Sequence, residues 1–399
     1  MKTNYPHLCI EINEKKIIFL VVKYNEELEF TALESKIINS AGFSNGKIFD
    51  INILSKTIKD TLDVIEETVG YTFKYVTVVT DQNNINCINV SGYKKLNGSQ
   101  ILAQDVSYIL NDIKKIITDK ETKYSLIHLF NSAYTLDGEN IESMPIGLHG
   151  EFYNHHLTCF LTLKNDIRNL KKVLNNCHLN IRKIVLRPFA LNMKRLKKNY
   201  LNKAECFVHL GKKKSDISIF KNSSFIYHEK FNFGTDIIIK DISKVCSLKF
   251  NEAENILKEI DLDNRNIEKE YLEKVYFTDS SFRKISLKHI ESIIIARVEE
   301  IIELIYKKNV NLSLIIKNEH RMCISLEENH ILNNIKKLIR KILEHSVELD
   351  FYEGGEKDLT IPCLSAAELT GRGWKTEAIP IVQTKKSLIT RIFSSLFQH

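Results

Sequence analysis

Residue types that do chemistry are present in this chain, but few stand at a working spacing. His155-His156 is an adjacent imidazole pair of the kind that binds metal or moves protons. No second group of His, Cys, Asp or Glu follows it at ligand spacing, so it reads as a solvated pair beside strand residues. The cysteines Cys9, Cys87, Cys159, Cys177, Cys206, Cys246, Cys323 and Cys363 are scattered without a C-x-x-C. That spacing suits neither a zinc site nor a compact disulfide framework and predicts buried thiols in a reducing cytosol. The phosphate-binding pattern G-x-x-x-x-G-K-[ST], the nucleophile elbow G-x-S-x-G and the metalloprotease pattern H-E-x-x-H are absent. Lys212-Lys213-Lys214 reads as the exposed tip of a hairpin.

The richest pattern lies at the end of the sequence. Ser387 is placed to cap a helix over Leu388 to Gln398. At about 100° per residue, Leu388, Ile389, Ile392, Phe393, Leu396 and Phe397 fill one half of its circumference, and Thr390, Arg391, Ser394, Ser395 and Gln398 fill the other. Lys385, Lys386 and Arg391 add positive charge with no acid nearby, which suits a helix lying on an anionic lipid surface.

A chain of 399 residues predicts two to three domains to carry these side chains. The formal net charge of +7 is spread along the chain, which argues against a nucleic-acid binder. No apolar run reaches the ~18 residues of a membrane span, and the start lacks the pattern of a secretory signal, so the cytoplasm is the expected compartment. Leu8–Ile12, Lys16–Lys23 and Leu28–Ser35 alternate as strands of a meander. Asp50 is an N-cap for a helix whose Leu54, Ile58, Leu62, Ile65 and Val69 fall at helical spacing, with Gly70 as its stop, and Tyr75–Thr80 is the next strand. This order predicts an α/β domain. A compact inserted segment over 83–164 carries a helix around Asp105–Ile117 and a turn at Asp137-Gly138. The strand-turn-strand order then starts again at Glu205–Leu210, Ile217–Phe220 and Phe225–Phe231, which predicts two halves related in structure and not in sequence. Helices follow at Asp236–Ser247, Phe250–Ile260 and Ser286–Lys307, the last with Ile290, Ile294, Val298, Ile301 and Ile305 as a core-facing stripe. Leu312–Ile316 reads as a strand and Asn333–Leu343 as a helix.

A series of short matches in fixed order resembles the FtsA family, actin-like bacterial cell-division proteins that tether FtsZ filaments to the membrane, in the form found in alphaproteobacteria. The matches are Tyr134–Gly138, Pro145–Gly150, Arg168–Leu170, Asn176–Leu179 and Pro188-Phe189-Ala190, then Lys240–Ser243 with Ala253-Glu254, and Ala296–Ile301, preceded by Gly42, Gly46 and Asp50. The resemblance implies a two-domain actin-like fold of the actin, Hsp70 and sugar-kinase superfamily. It would comprise a first domain at 1–82 returning at 165–204, an inserted subdomain at 83–164, and a second domain at 205–234. An FtsZ-binding type of subdomain would follow at 235–309, the second domain and return at 310–370, a linker at 371–386 and a membrane-targeting helix at 387–399. It also implies a peripheral protein on the cytoplasmic face of the inner membrane at the septum. The implied partners are the FtsZ C-terminal peptide, bound through Arg297 and Glu300, further copies of the chain in a filament, an anionic membrane and other division proteins, with no nucleic acid. The rivals are an ATP-dependent enzyme or chaperone of the same superfamily and a pilus-assembly type of actin-like adaptor.

Departures from the family pattern concentrate at nucleotide. Actin-like ATPases use glycine turns so that backbone N–H groups approach phosphate. Aligned on the first turn, this chain reads Glu11-Ile12-Asn13-Glu14-Lys15-Lys16, with Asn13 in place of glycine and Glu14 set to repel phosphate. On the second it reads His209-Leu210-Gly211-Lys212-Lys213-Lys214-Ser215-Asp216. Ile316-Lys317-Asn318 stands for the glycine pair beside adenosine. Glu11, Asn13, Lys16, Gly211, Asp216, Gly234 and Glu254 then form a degenerate nucleotide site. Bound Mg-ATP is expected to be weak or lost and the chain is expected not to be an enzyme.

Overall fold

The computed structural model describes residues 5–197, 203–259, 271–316, 320–327, 329–343, 347–353 and 359–378. They fall into two compact units, one formed by the described residues within 5–85 and 171–372, the other by 86–170 with 373–378. In the first unit β1 (His7–Ile12), β2 (Lys16–Tyr24) and β3 (Phe30–Asn39) form an antiparallel meander. A small hairpin of β4 (Phe43–Ser44) and β5 (Lys47–Ile48) leads into α1 (Ile51–Val69), and β6 (Tyr75–Thr80) returns parallel to β1. The ends of α1 lie where the sequence puts them. The Asp50 side chain accepts the Ile53 N–H at 2.9 Å, and Gly70 closes the helix in the left-handed region at φ 66°. Leu54, Ile58, Leu62 and Ile65 are buried, each worth about 1.5–3 kcal/mol of transfer from water.

The chain then builds the second unit from β7 (Ile85–Lys95), α2 (Ala103–Lys120), β8 (Tyr124–Leu136), β9 (Glu139–Ile141) and β10 (Phe152–Leu163), in the order β7-β10-β8-β9. Val106, Ile109, Ile113 and Ile117 of α2 form its core with Leu129, Tyr153, Leu157 and Leu161 of the sheet. Gly92 is required there, because a Cβ would strike the Ile109 side chain. Residues 373–378 belong to this unit as well. The Asn131 N–H donates to Thr376 O at 2.8 Å, the Ala378 N–H to Leu129 O at 2.7 Å, and His128 Nδ1 meets Glu377 Oε1 at 2.7 Å. The expected solvated pair at 155–156 is corrected here. His155 is fully buried and bonds Asn131 Oδ1 at 2.7 Å, because alternation along β10 turns it inward, while His156 faces the other way to Ser91 Oγ at 2.7 Å.

Back in the first unit, α3 (Lys164–Asn176) precedes β11 (Asn180–Leu186), which lies parallel to β6, and α4 (Arg187–Met193). A second meander follows, β12 (Ala204–Leu210), β13 (Ser215–Lys221) and β14 (Ser224–Phe231). Next come α5 (Asp236–Val245), α6 (Phe250–Glu259) and α7 (Leu287–Ile302), which runs into a π-helical turn at Glu303–Lys307. Then α8 (Val310–Ile315), β15 (His320–Leu326), α9 (Asn329–Leu343), β16 (Glu348–Tyr352) and α10 (Ile361–Gly371) complete the unit. Its two sheets run β11-β6-β1-β2-β3 and β16-β15-β12-β13-β14, the same order of a meander extended by two parallel strands. The expected structural repetition is therefore present. Ile290, Ile294, Val298, Ile301 and Ile305 are buried, so the apolar stripe is core. The expected strand at Leu312–Ile316 is instead α8, capped by Asn309, whose side chain accepts from Asn311 and Leu312. The strand beside β12 is β15, so the turn at Leu326-Glu327, and not Ile316-Lys317-Asn318, follows the fourth strand of this sheet.

Candidate functional site

Three turns of the first unit converge: the β1–β2 turn, the β12–β13 turn and the step from β15 towards α9. In the first, Asn13 folds back on its own turn. Its Oδ1 accepts the N–H groups of Lys15 at 3.0 Å and Lys16 at 2.9 Å, and its Nδ2 donates to Glu11 Oε1 at 2.9 Å. This Asx turn gives the amides a resident acceptor. Glu11 is buried, takes Arg187 Nε at 2.7 Å, and has its second oxygen without a partner; burial raises its pKa against the pull of Arg187. Lys16 is not brought to the cluster. As the first residue of β2 it stands opposite Asn39 in the β2–β3 register and bonds Asn39 Oδ1 at 2.9 Å. Lys15 reaches across and pairs with Glu327.

Gly211 in the second turn, and Gly234 before α5 where it packs against that turn, are matters of space. A Cβ on Gly211 would lie 2.5 Å from Lys214 O, and one on Gly234 would strike Gly211 O and come within 2.5 Å of Lys212 O. The turn is docked on the start of α5, where the N–H groups of Thr235 and Asp236 donate to Gly211 O and Lys212 O, both at 2.9 Å. Lys212 N–H donates to Glu327 Oε2 at 2.8 Å, and its Nζ meets Glu254 Oε1 at 3.4 Å, with Lys258 on the same carboxylate at 3.0 Å. Lys214 Nζ contacts Glu14 Oε1 at 3.3 Å and Asn45 Oδ1 at 3.2 Å. The run expected as an exposed tip is therefore two half-buried, engaged lysines around an exposed Lys213.

Beneath the turns lies a charge cluster in which Glu11 is buried and Asp81, Asp216, Arg187 and Lys230 are half-buried. Lys230 pairs with Asp81, and although burial works against the charge, Lys230 and Arg187 hold that carboxyl well below the usual range. Asp216 is pushed up to about 6 by burial and by Asp81, against Lys230 and Arg187. His209 is lowered to about 4 by burial and then by Arg187, so it is neutral. The cavity bordered by Asp81, Arg187, Asp216, Lys230 and Ser325 is about 10 Å³, room for roughly one water. Among the described residues no group of three or more His, Cys, Asp or Glu is arranged for a metal.

These residues do not fit a bound magnesium–nucleotide. The amides of Lys15, Lys16, Gly211 and Lys212 already have acceptors, Glu14 and Glu327 bring negative charge to the turns, and two cations stand among the carboxylates where a metal would need them. Motif reasoning does not find Arg187, Asp81, Lys230 or Glu327. Arg187 immediately precedes the matched Pro188-Phe189-Ala190, which is the nearest available signal.

Farther away, Arg297 and Glu300 share one face of α7 and pair with each other, and Arg297 also pairs with Asp241 on α5. Lys385, Lys386, Leu388, Ile389, Arg391, Ile392, Phe393, Leu396 and Phe397 lie outside the described residues.

A family profile described as "Cell division protein FtsA" matches residues 206–368. Cell division protein FtsA of Buchnera aphidicola (Acyrthosiphon pisum) is 22% identical over 252 residues, which are 62% of this chain and 59% of that relative. FtsA of Neisseria meningitidis is 21% identical over 294 residues, 73% of this chain and 70% of the relative. Over these residues this chain is similar in sequence to FtsA proteins. Its alignment spans little more than half of the Buchnera protein's length. The solved PilM–PilN type IV pilus biogenesis complex has a chain of the same fold, with a TM-score of 0.56 at 10% identity, covering 92% of this chain and 98% of that one. The fold is actin-like. At such low identity the pilus likeness speaks for fold alone, whereas the FtsA likeness extends to sequence.

Proposed function

We propose that this FtsA relative is a non-catalytic adaptor that tethers FtsZ filaments to the inner face of the cytoplasmic membrane at the division septum. The observation that carries the reading is the FtsA profile match over 206–368, which includes α5, α6 and α7. Arg297 and Glu300 are the proposed contact for the FtsZ C-terminal peptide, and Lys385 to Phe397 the proposed anchor. No described helix is long and apolar enough to cross a membrane. An amphipathic anchor of six apolar residues holds weakly and reversibly, so assembly of many copies into a filament would supply the avidity. The mismatch with magnesium–nucleotide supports a scaffold that does not turn over ATP.

The test is cosedimentation of the full chain with anionic vesicles and fluorescent FtsZ C-terminal peptide. The peptide is expected to pellet only when both protein and vesicles are present. Glu300→Lys should weaken peptide capture several-fold; it is a cleaner probe than reversal of Arg297, which would also face Asp241 with a like charge. Peptide that stays in the supernatant with vesicle-bound protein would reject the adaptor reading.

A further inference from the structure

One carboxylate does an unusual amount of joining. Glu327 directly follows β15, and its N–H donates to Leu210 O at 3.1 Å, which fixes its backbone beside the end of β12. Its two oxygens serve two different turns: Oε1 pairs with Lys15 of the β1–β2 turn, and Oε2 accepts the Lys212 N–H of the β12–β13 turn at 2.8 Å. Lys214 with Glu14 and Asn45 makes a second cross-link to the first sheet and its hairpin, at 3.3 Å and 3.2 Å. All these residues belong to one compact unit. An anion that accepts a backbone amide and a lysine at once uses the recognition chemistry of a phosphate oxygen.

We propose that Glu327 is an internal anionic ligand, which holds the two turns together as a bound phosphate would and thereby occludes an anion site built from Lys15, the Lys212 amide and Lys214. The inference rests on the reading of this protein as a scaffold independent of nucleotide, and names the residue that makes it so. Because the carboxylate is covalently attached, a free anion has to compete with an effective concentration on the order of millimolar or more. Burial works against its charge, but Lys15 and the Lys212 amide hold it ionised. In the β1–β2 turn the side-chain carbonyl of Asn13 acts similarly, towards the amides of Lys15 and Lys16. The chain thus meets in advance the demands that a triphosphate would otherwise meet.

Calorimetry on the full chain with inorganic triphosphate, and separately with Mg-ATP, tests this. The parent is expected to give no saturable triphosphate binding, and Glu327→Gln to bind it at least about tenfold more tightly. The gain should vanish in Glu327→Gln with Lys15→Gln, and should not appear in Glu29→Gln, which removes a carboxylate paired with Arg372 beyond the opposite end of β2. A parent that binds triphosphate as tightly as Glu327→Gln, or a variant that gains nothing, would overturn the proposal. Hydrogen exchange on the parent needs no variant. The amides around Lys212 should be protected without any added anion and gain nothing from triphosphate, whereas slowing on its addition would also count against an occupied site. Neither readout involves vesicles or the FtsZ peptide, so failure here and failure of the adaptor reading are separate outcomes.

Discussion

At the scale of single residues, the buried polar groups set how this protein answers to pH and to substitution. His155 is held neutral, its pKa lowered to about 4 by burial and then by His156, and its Nδ1 has no partner to receive a charge. A histidine whose folded pKa lies below its unfolded one contributes stability above about pH 6.5 and loses it as pH falls towards 4. His155→Asn is therefore expected to flatten the pH dependence of urea unfolding between pH 6.5 and 4.5, by up to about 1.4 kcal/mol per pH unit. Equal slopes in parent and variant would refute this. Gly234 acts through space instead of charge. Gly234→Ala drives a Cβ into the carbonyls of Gly211 and Lys212, both backbone and unable to yield, at an expected cost of about 1–3 kcal/mol by thermal unfolding.

At the scale of elements, the sequence speaks clearly where one physical cause dominates. Asp50 and Gly70 bracket α1 because a cap and a left-handed stop are local chemistry. Asp50→Ala should cost about 1 kcal/mol, measured as a shift in the unfolding midpoint with unchanged cooperativity. The meanders are legible because alternation has period 2, although β3 starts at Phe30 and not Leu28, whose φ of 60° places it in the turn. Leu312–Ile316 is ambiguous because a short apolar run fits strand and helix alike, and the Asn309 cap decides for helix. Reading that run as a strand displaces the third turn and hides Glu327. Arg187, Lys230 and Asp81 are illegible for another reason: they lie far apart in sequence, and the pairing of β6 with β11 brings Asp81 beside Arg187 while Lys230 joins them from the other sheet, which no local pattern encodes. The π-helical turn after α7 leaves no sequence signal either.

At the scale of the whole molecule, the proposed anchor is expected to be separable from the body. The described structure reaches Ala378, which is held on β8, and the residues of the proposed anchor follow it in sequence. Deleting Lys385 to His399 should abolish pelleting with anionic vesicles while leaving the far-UV spectrum and unfolding midpoint unchanged, and Phe393→Glu should do the same; a truncated protein that still pellets would move the anchor elsewhere. The body has its own long-range closure. The helix α10 lies against β1, β2, β6 and α4, and the Tyr24 hydroxyl donates to Ala367 O at 2.6 Å across a sequence separation of 343 residues. During synthesis, at about 5–20 residues per second, β1 and β2 wait on the order of half a minute for the helix that covers them. β1 and β2 are thus sealed late, and their apolar faces stand open to chaperones and to neighbouring nascent chains until α10 is made.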